Sequence, residues 1–451
     1  MVNLIIIGIL FLVLVISMYR LQLGYTLTVA CMFLIPKSAM FSNILPSLTK
    51  INFLLLSFSA ILFLKEKNAI SKLPKQLLRP FIFFIIINTI LFVCSYVVPK
   101  SQQFSRYFSE IIFIMFALEA YLVFKSKQDI ILFSKILIVC VLLVTLYGMY
   151  TYISGNSLYV DFIDLYFRKF DNEFRVEGLN MSRGFLGARI QSTFDHPLSL
   201  GQIFVLVFGF ISLCFKKLQL HKGYQFAILT LVGIIVFLTG SRAAFFSLVP
   251  FLIVSFISAR SKYKLIALGV VFGSVILIEF NILNIPNDVN HSLKASIFFW
   301  DNSLQNSANY SGSSVDMRAD QINAALNKLE KVNPIFGYGI GFREFNQKKL
   351  NGIDPELLGY ESVFLLKLVE QGFLGLVAFF VLIYQIFRLV PKKLPLIKWG
   401  ERLTFLAYFS SFVIGISMTG VRPYSFFLFV IFFLLYIKCL ETQMETQYAE
   451  N

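Results

Sequence analysis

Residues 81–98 read FIFFIIINTILFVCSYVV, eighteen residues with no charge and no period-two alternation. A strand of a membrane barrel alternates apolar and polar faces, and this run does not. It approaches the roughly 20 residues that a helix needs to cross a bilayer. Inside hydrocarbon every backbone N–H and C=O needs an internal partner, so an unalternating run of this length is a transmembrane helix. Residues 130–152 and 265–280 read the same way. The whole chain agrees: 57% of its 451 residues are hydrophobic, 14% are charged and the mean hydropathy is +0.75. That leaves too little polar surface to cover a water-soluble globule of this size.

Working outward, apolar runs predict spans near 3–18, 22–36, 50–64, 81–98, 107–124, 130–152, 194–215, 224–239, 243–258, 264–281, 359–388, 402–418 and 423–439. The expected fold class is all-α, a polytopic transmembrane helix bundle of about 12–14 spans. The first two runs are parted only by Tyr19-Arg20-Leu21. No cleavage site with small residues follows the first, so it is expected to stay as an anchor.

Orientation follows from lysine and arginine. The short loops at 19–22, 65–80, 125–129, 216–224, 259–264 and 387–402 hold 19 of them, and the alternate short loops at 36–50, 99–106, 240–243 and 419–423 hold 6. The positive-inside rule makes the first set cytoplasmic. The net charge of +15 is then a topology signal. The basic residues are scattered over loops without exposed aromatics, so no nucleic-acid partner is expected.

The resulting organisation is N-terminal helices over 1–152, an extracytoplasmic loop over 153–193, central helices over 194–281, a larger extracytoplasmic loop over 282–358, C-terminal helices over 359–440 and a cytoplasmic tail over 441–451. Both long loops exceed plain helix connections and are the places to look for chemistry. Cys31, Cys94, Cys140, Cys214 and Cys439 all lie in or beside spans, so neither a disulfide framework nor a thiolate metal site is implied.

In the first loop, 159–170 interleaves apolar residues with charge as an interfacial amphipathic segment does. The loop then passes Arg183 and Arg189 into Thr193-Phe-Asp-His-Pro197. In the second loop Ser313 and Asp316 resemble a capping box, Ile322, Ala325, Leu326 and Leu329 fall on one helical face, and Asn333-Pro334 ends the helix. Gly337-Tyr-Gly-Ile-Gly341 has neither a preceding strand nor the third glycine of a dinucleotide fingerprint, and reads as a tight loop against the membrane.

The candidate chemistry lies in arginines at membrane ends. Arg242, in Leu238-Thr-Gly-Ser-Arg242, is wedged between two spans with almost no loop. Snorkelling to headgroups is the ordinary explanation for such a cation. The alternative is an anion site, because a guanidinium clamps phosphate bidentately and a helix starting at Arg242 adds its positive N-terminal dipole. Arg189 and Arg318, each beside a predicted membrane-side helix, are candidates to join it; singly, each reads as a solvated charge. His196 is either a local backbone cap or a substrate contact. Glu361, opening a span, is either a charge favoured by the helix dipole or a base. Lys367 and Glu370 stand i,i+3 and are expected to pair with each other.

Taken together, Arg189…Phe194-Asp-His-Pro-Leu-Ser-Leu-Gly201, Leu238-Thr-Gly-Ser-Arg-Ala-Ala244, Arg318…Pro334-Ile-Phe-Gly-Tyr-Gly-Ile-Gly341 and Glu361-Ser-Val-Phe-Leu-Leu-Lys-Leu-Val-Glu-Gln-Gly-Phe-Leu-Gly375 resemble the O-antigen ligase and Wzy polysaccharide polymerase superfamily over about residues 185–390. The resemblance implies a GT-C-like bundle that transfers glycan from an undecaprenyl-diphosphate donor at the outer face of the bacterial cytoplasmic membrane. It implies no metal and no cofactor, in keeping with a sequence that lacks Asp-x-Asp and a histidine cluster. It makes undecaprenyl-diphosphate oligosaccharide and the bilayer the partners, with a chain-length regulator as a further one. By the same resemblance Arg189, Arg242 and Arg318 hold the diphosphate, and Glu361 takes the proton of an acceptor hydroxyl. The ligase branch usually has histidine at the place of Glu361, and His221 and His291 do not fall there, which favours a polymerase. A ligase of the same superfamily is the first rival. A flippase or transporter is the second, opposed by how few ionisable residues the spans carry near mid-membrane.

Overall fold

The structure is a computed structural model that describes residues 2–35, 49–154, 189–194, 196–218, 222–258, 294, 315–350, 354, 356–357, 362–389, 399–419 and 424–450. In chain order the helices are α1 (Val2–Tyr19), α2 (Leu21–Leu34), α3 (Lys50–Lys65), α4 (Lys75–Cys94), α5 (Lys100–Val123), α6 (Lys127–Ser154), α7 (Pro197–Leu218), α8 (Lys222–Leu238), α9 (Arg242–Ser258), α10 (Val315–Leu329), α11 (Phe342–Leu350), α12 (Val363–Leu389), α13 (Trp399–Met418) and α14 (Ser425–Glu450). Among the described residues five helices are long and apolar enough to cross a membrane, in α4, α6, α7, α12 and α14, and four shorter apolar helices accompany them. The fold is a polytopic membrane helix bundle. The expected span 264–281, the segment 159–170, and Arg183, His221, His291, Ser313 and Glu361 lie outside the described residues.

A helix that is apolar all round must be surrounded, and α14 is: Phe426 through Leu440 are buried with the single exception of Lys438, which is half-buried. Its rings interleave with those of the helices around it, Phe427 on Phe113 of α5, Phe429 on Phe412 of α13 and Phe432 on Phe210 of α7. By contrast Phe11, Ile86, Leu146, Leu252 and Val377 are exposed on the flanks of spans, where lipid is the solvent. Two separate helices do form on either side of Arg20, whose extended backbone ends α1 and starts α2. They pack as a hairpin with Gly24 close against Ser17.

Several expected boundaries shift, each for a local reason. The run 81–98 is helical only to Cys94, and the helix starts earlier, at Lys75 after Pro74. Beyond Cys94 the freed carbonyls find side chains instead of the next helical turn. Lys100 Nζ reaches Val93 O at 3.1 Å, and Gln103 accepts from Ser95 Oγ at 2.6 Å and donates to Val98 O at 2.6 Å. The span expected at 107–124 is the end of a longer helix, α5, that begins at Lys100. It brings two carboxyls into the bundle, Glu110 and the buried Glu119, so the spans hold more ionisable groups than their apolar runs suggest.

The span expected at 359–388 is α12, and it is broken. At Gly372 the backbone turns to φ 62°, ψ −166°. The loop between α10 and α11 fills the break: Tyr338 N–H donates to Val369 O at 3.0 Å and Gly339 N–H to Glu370 O at 2.8 Å, while Phe373 N–H and Leu374 N–H donate to Pro334 O and Ile335 O at 2.9 and 3.2 Å. Backbone groups released inside a membrane protein must be satisfied by protein, and here 334–339 satisfies them. The tight glycine loop thus seats in a helix break.

The face of α10 also differs from expectation. Ala325 and Leu329 are buried, but Ile322 and Leu326 are 47% and 42% exposed, and the inward positions are taken by Gln321 and, half-buried, Arg318. α10 packs against α12, and Arg318 reaches α13 from it.

Candidate active site

Thr239-Gly240-Ser241 joins α8 to α9 with almost no chain to spare. Gly240 takes the left-handed conformation (φ 55°) that ends a helix, and Ser241 Oγ accepts the Ala244 N–H at 3.2 Å as the N-cap of α9. Arg242 is therefore the first residue of α9, half-buried, where the helix dipole is positive. Arg189 comes to the same turn. Its Nε donates to Thr239 O at 2.7 Å, and the next residue's N–H donates to Leu238 O at 3.1 Å. The irregular segment 189–194, which turns at Ser192, is pinned further by Ser192 Oγ donating to Val144 O and Thr193 Oγ1 to Phe33 O, both at 2.7 Å.

Arg318 reaches the bundle from α10. Its Nη2 donates to Met418 O at 2.9 Å, the carbonyl that closes α13. Arg189 and Arg318 are thus each held by a carbonyl at a helix C-terminus, where a cation is favoured.

The two anchor points belong to one cluster. In α7, Gly201 lies against Ala244 and Thr239, and Gln202 Nε2 donates to Gly415 O at 2.7 Å and to Thr419 Oγ1. Thr419 is the residue after Met418. The structure therefore brings Arg189 and Arg242 to one turn and Arg318 to the adjoining end of α13, with small and polar residues of α7, α9 and α13 between them. His196 stands at the start of α7, where its Nδ1 accepts the Leu198 N–H at 3.0 Å, the local-cap role.

A second set of charges lies beside α12. Lys367 and Glu370 do not pair as expected: Lys367 Nζ is 3.2 Å from Glu110 Oε1 across on α5, and Glu370 Oε1 accepts the Arg343 N–H at 3.0 Å. The break at Gly372 draws the 334–343 segment onto Glu370, so its carboxylate caps α11 instead of meeting its helical neighbour. Arg106 of α5 is ion-paired with Glu344 of α11.

Lys328, at the end of α10, bridges Asp354 at 3.1 Å and Glu356 at 2.9 Å. Burial works against the charged lysine, but its hydrogen bonds to Glu356 and Asp354 outweigh it and push its pKa up. This bridge ties α10, which carries Arg318, to the stretch just before Glu361. Sequence reasoning missed Gln202, Thr419 and Gly415; the available signal was Gln202 itself, a long polar side chain in an apolar span.

The helices and the arginine-lined end define an integral membrane protein with a cationic site where spans meet loops. Residues 226–380, about a third of the chain, match a family model described as O-Antigen ligase, which supports the resemblance to the O-antigen ligase/Wzy superfamily. The matched region contains Arg242, Arg318, Glu361 and the broken helix, while Arg189, His196 and Gln202 precede it. Among curated proteins none matches the chain. The matched family is of the ligase and polymerase type.

Proposed function

We propose that the protein is a polysaccharide polymerase, which transfers undecaprenyl-diphosphate-linked glycan onto a second lipid-linked repeat unit at the outer face of the bacterial cytoplasmic membrane, in O-antigen, capsule or exopolysaccharide biosynthesis. The observation that carries this reading is the convergence of Arg189, Arg242 and Arg318 on adjoining helix ends joined through Gln202 and Thr419.

In the reaction an acceptor hydroxyl oxygen attacks the anomeric carbon, and the bond from that carbon to the diphosphate oxygen breaks with its electron pair leaving on the diphosphate. Charge grows on the diphosphate as the bond breaks. Pre-oriented guanidiniums at the N-terminus of α9 are suited to stabilise that charge without a divalent ion. Glu361 would take the hydroxyl proton. A carboxylate serves as such a base when burial and neighbours raise its pKa toward neutrality. His196, at the mouth of α7, would contact the glycan.

The description of the matched family favours a second reading, a ligase that passes finished glycan to lipid A-core or protein. The glutamate at position 361, where ligases usually carry histidine, supports the polymerase. Removing the protein from its cell separates the two: a lost polymerase leaves single repeat units on the acceptor, whereas a lost ligase leaves long chains on the undecaprenyl carrier. In the polymerase, Glu361→Gln inserts normally and makes no polymer; full-length polymer from that variant would remove Glu361 from the reaction.

A further inference from the structure

We infer that Gln202 is a positioning residue that sets the spacing between the two halves of the arginine site; the inference rests on the reading of that site as a diphosphate clamp. Gln202 is 5% exposed and stands in α7 among apolar residues. Its Nε2 donates to Gly415 O at 2.7 Å and to Thr419 Oγ1, and Thr419 closes the triangle by donating to Gly415 O from Oγ1 at 2.8 Å and from its N–H at 3.1 Å. Position 415 is closely packed: a Cβ there would stand 3.2 Å from Gln202 Nε2 and 3.2 Å from Ser247 Oγ, so both side chains would have to shift slightly. The gripped end of α13 is the one whose Met418 carbonyl holds Arg318.

The preceding residue faces the other half. A Cβ on Gly201 would come within 2.7 Å of Ala244 Cβ and 3.3 Å of Thr239 Oγ1, so α7 lies hard against the turn that carries Arg189 and Arg242. Two consecutive residues of α7 therefore meet the two anchor regions, Gly201 by close packing on Thr239 and Ala244 and Gln202 by hydrogen bonds to Gly415 and Thr419 on either side of Met418. α7 acts as a spacer between them, and the amide of Gln202 is its directional link. An amide is costly here. Its Oε1 is buried and has no hydrogen-bond partner among the described residues, a penalty that an apolar side chain filling the same space would avoid. A neutral amide also grips the carbonyl end of α13 without adding negative charge beside an anion site, as glutamate would.

The test is a double-mutant cycle on the full chain in lipid nanodiscs, with undecaprenyl diphosphate as the binding probe. The four proteins are wild type, Gln202→Met, Arg318→Lys and the double variant. Met keeps the volume and removes the hydrogen bonds. Gln202→Met is expected to weaken binding about tenfold in the wild-type background and less than about threefold beside Arg318→Lys, the non-additivity of groups acting through one another. Equal losses in both backgrounds, or no loss in either, overturn the inference while leaving the diphosphate reading in place. If neither Arg318→Lys nor Arg242→Lys, the latter measured as a fifth protein, weakens binding, the diphosphate reading falls and takes this inference with it. Should Gln202→Met fail to insert, Thr419→Val, which removes only the side-chain partner, is scored by the same non-additivity and is overturned by the same additive result.

Discussion

Substituting Gly372 by alanine tests how the long loop is seated. At φ 62°, ψ −166° the backbone lies where only glycine rests easily, and holding alanine there costs about 1–3 kcal/mol. Space makes it worse: a Cβ would stand 2.4 Å from Ile335 O and 2.5 Å from Pro334 O. Both obstacles are backbone atoms, so no rotamer change relieves the clash and the 334–335 segment has to withdraw. The Phe373 and Leu374 N–H bonds to that segment then go, each worth about 0.5–1.5 kcal/mol net. The combined loss is about 2–6 kcal/mol, a large part of the ~5–15 kcal/mol that holds a typical protein folded. Gly233, in α8 with nothing within 4 Å of its Cβ position, is the control; there alanine should be neutral or stabilising by up to about 1 kcal/mol. The assay is the denaturation midpoint of the purified protein in detergent, read beside amide exchange at Tyr338 and Gly339. Gly372→Ala should lower the midpoint and speed exchange at those two amides, which bond to Val369 O and Glu370 O across the break. An unchanged midpoint with full protection at both would refute the seating.

Three other perturbations separate structure from function. Gln321 is fully buried on α10 with neither side-chain polar atom hydrogen-bonded among the described residues, so Gln321→Leu should raise the denaturation midpoint by removing an unsatisfied amide worth about 1–3 kcal/mol; a lower midpoint would show that the amide has a partner in the folded state. Lys367→Met strands Glu110 and should destabilise by about 3 kcal/mol, with Glu110→Gln in the same chain recovering most of the loss; no recovery would mean that Lys367 acts through its packing on Phe84 and Phe379. At the other end, hydrogen bonds from Lys125 and then Lys72 pull the Glu66 pKa from 4.5 down to about 2. A depressed carboxyl pKa stabilises the folded state above the unfolded value and loses that contribution as pH falls, so Glu66→Gln should be less stable than wild type near neutrality and converge on it as pH falls from about 4.5 to 2; a parallel curve displaced at every pH would contradict the ion-pair account.

The bundle was legible in the apolar runs because hydrocarbon leaves a chain few options, and Phe81–Cys94 or Ile130–Tyr152 have only one way to satisfy their backbones. The ends of spans were harder to read. Lys100 caps α4 from the following helix, and Gln103 holds the segment after it; a hydropathy window does not register contacts supplied by a neighbour. The break in α12 was hidden for a similar reason. Gly372 in an apolar run is common, and only the distant 334–339 loop makes it a break. Arg242 was legible as a candidate because a cation between two spans is conspicuous, and Ser241 beside it reads as an N-cap. Its relation to Arg318 was not, because that relation runs through Met418 and Gln202, residues of unrelated sequence neighbourhoods. The Lys367–Glu370 pair shows the opposite error: helical spacing allowed it, but Glu110 and the Arg343 N–H were better placed partners.

The central claim is that the arginine cluster is the diphosphate site of a glycan polymerase. Its most direct test is the purified protein reconstituted in lipid with a synthetic undecaprenyl-diphosphate repeat unit, the lipid-linked products being resolved on a gel for wild type and Arg242→Ala. A ladder from wild type that disappears in the variant, with the variant folded and inserted, is the expected result. A ladder that persists unchanged in Arg242→Ala would contradict the assignment of the site, and a single unextended product from folded wild-type protein across several candidate repeat units would contradict the polymerase itself.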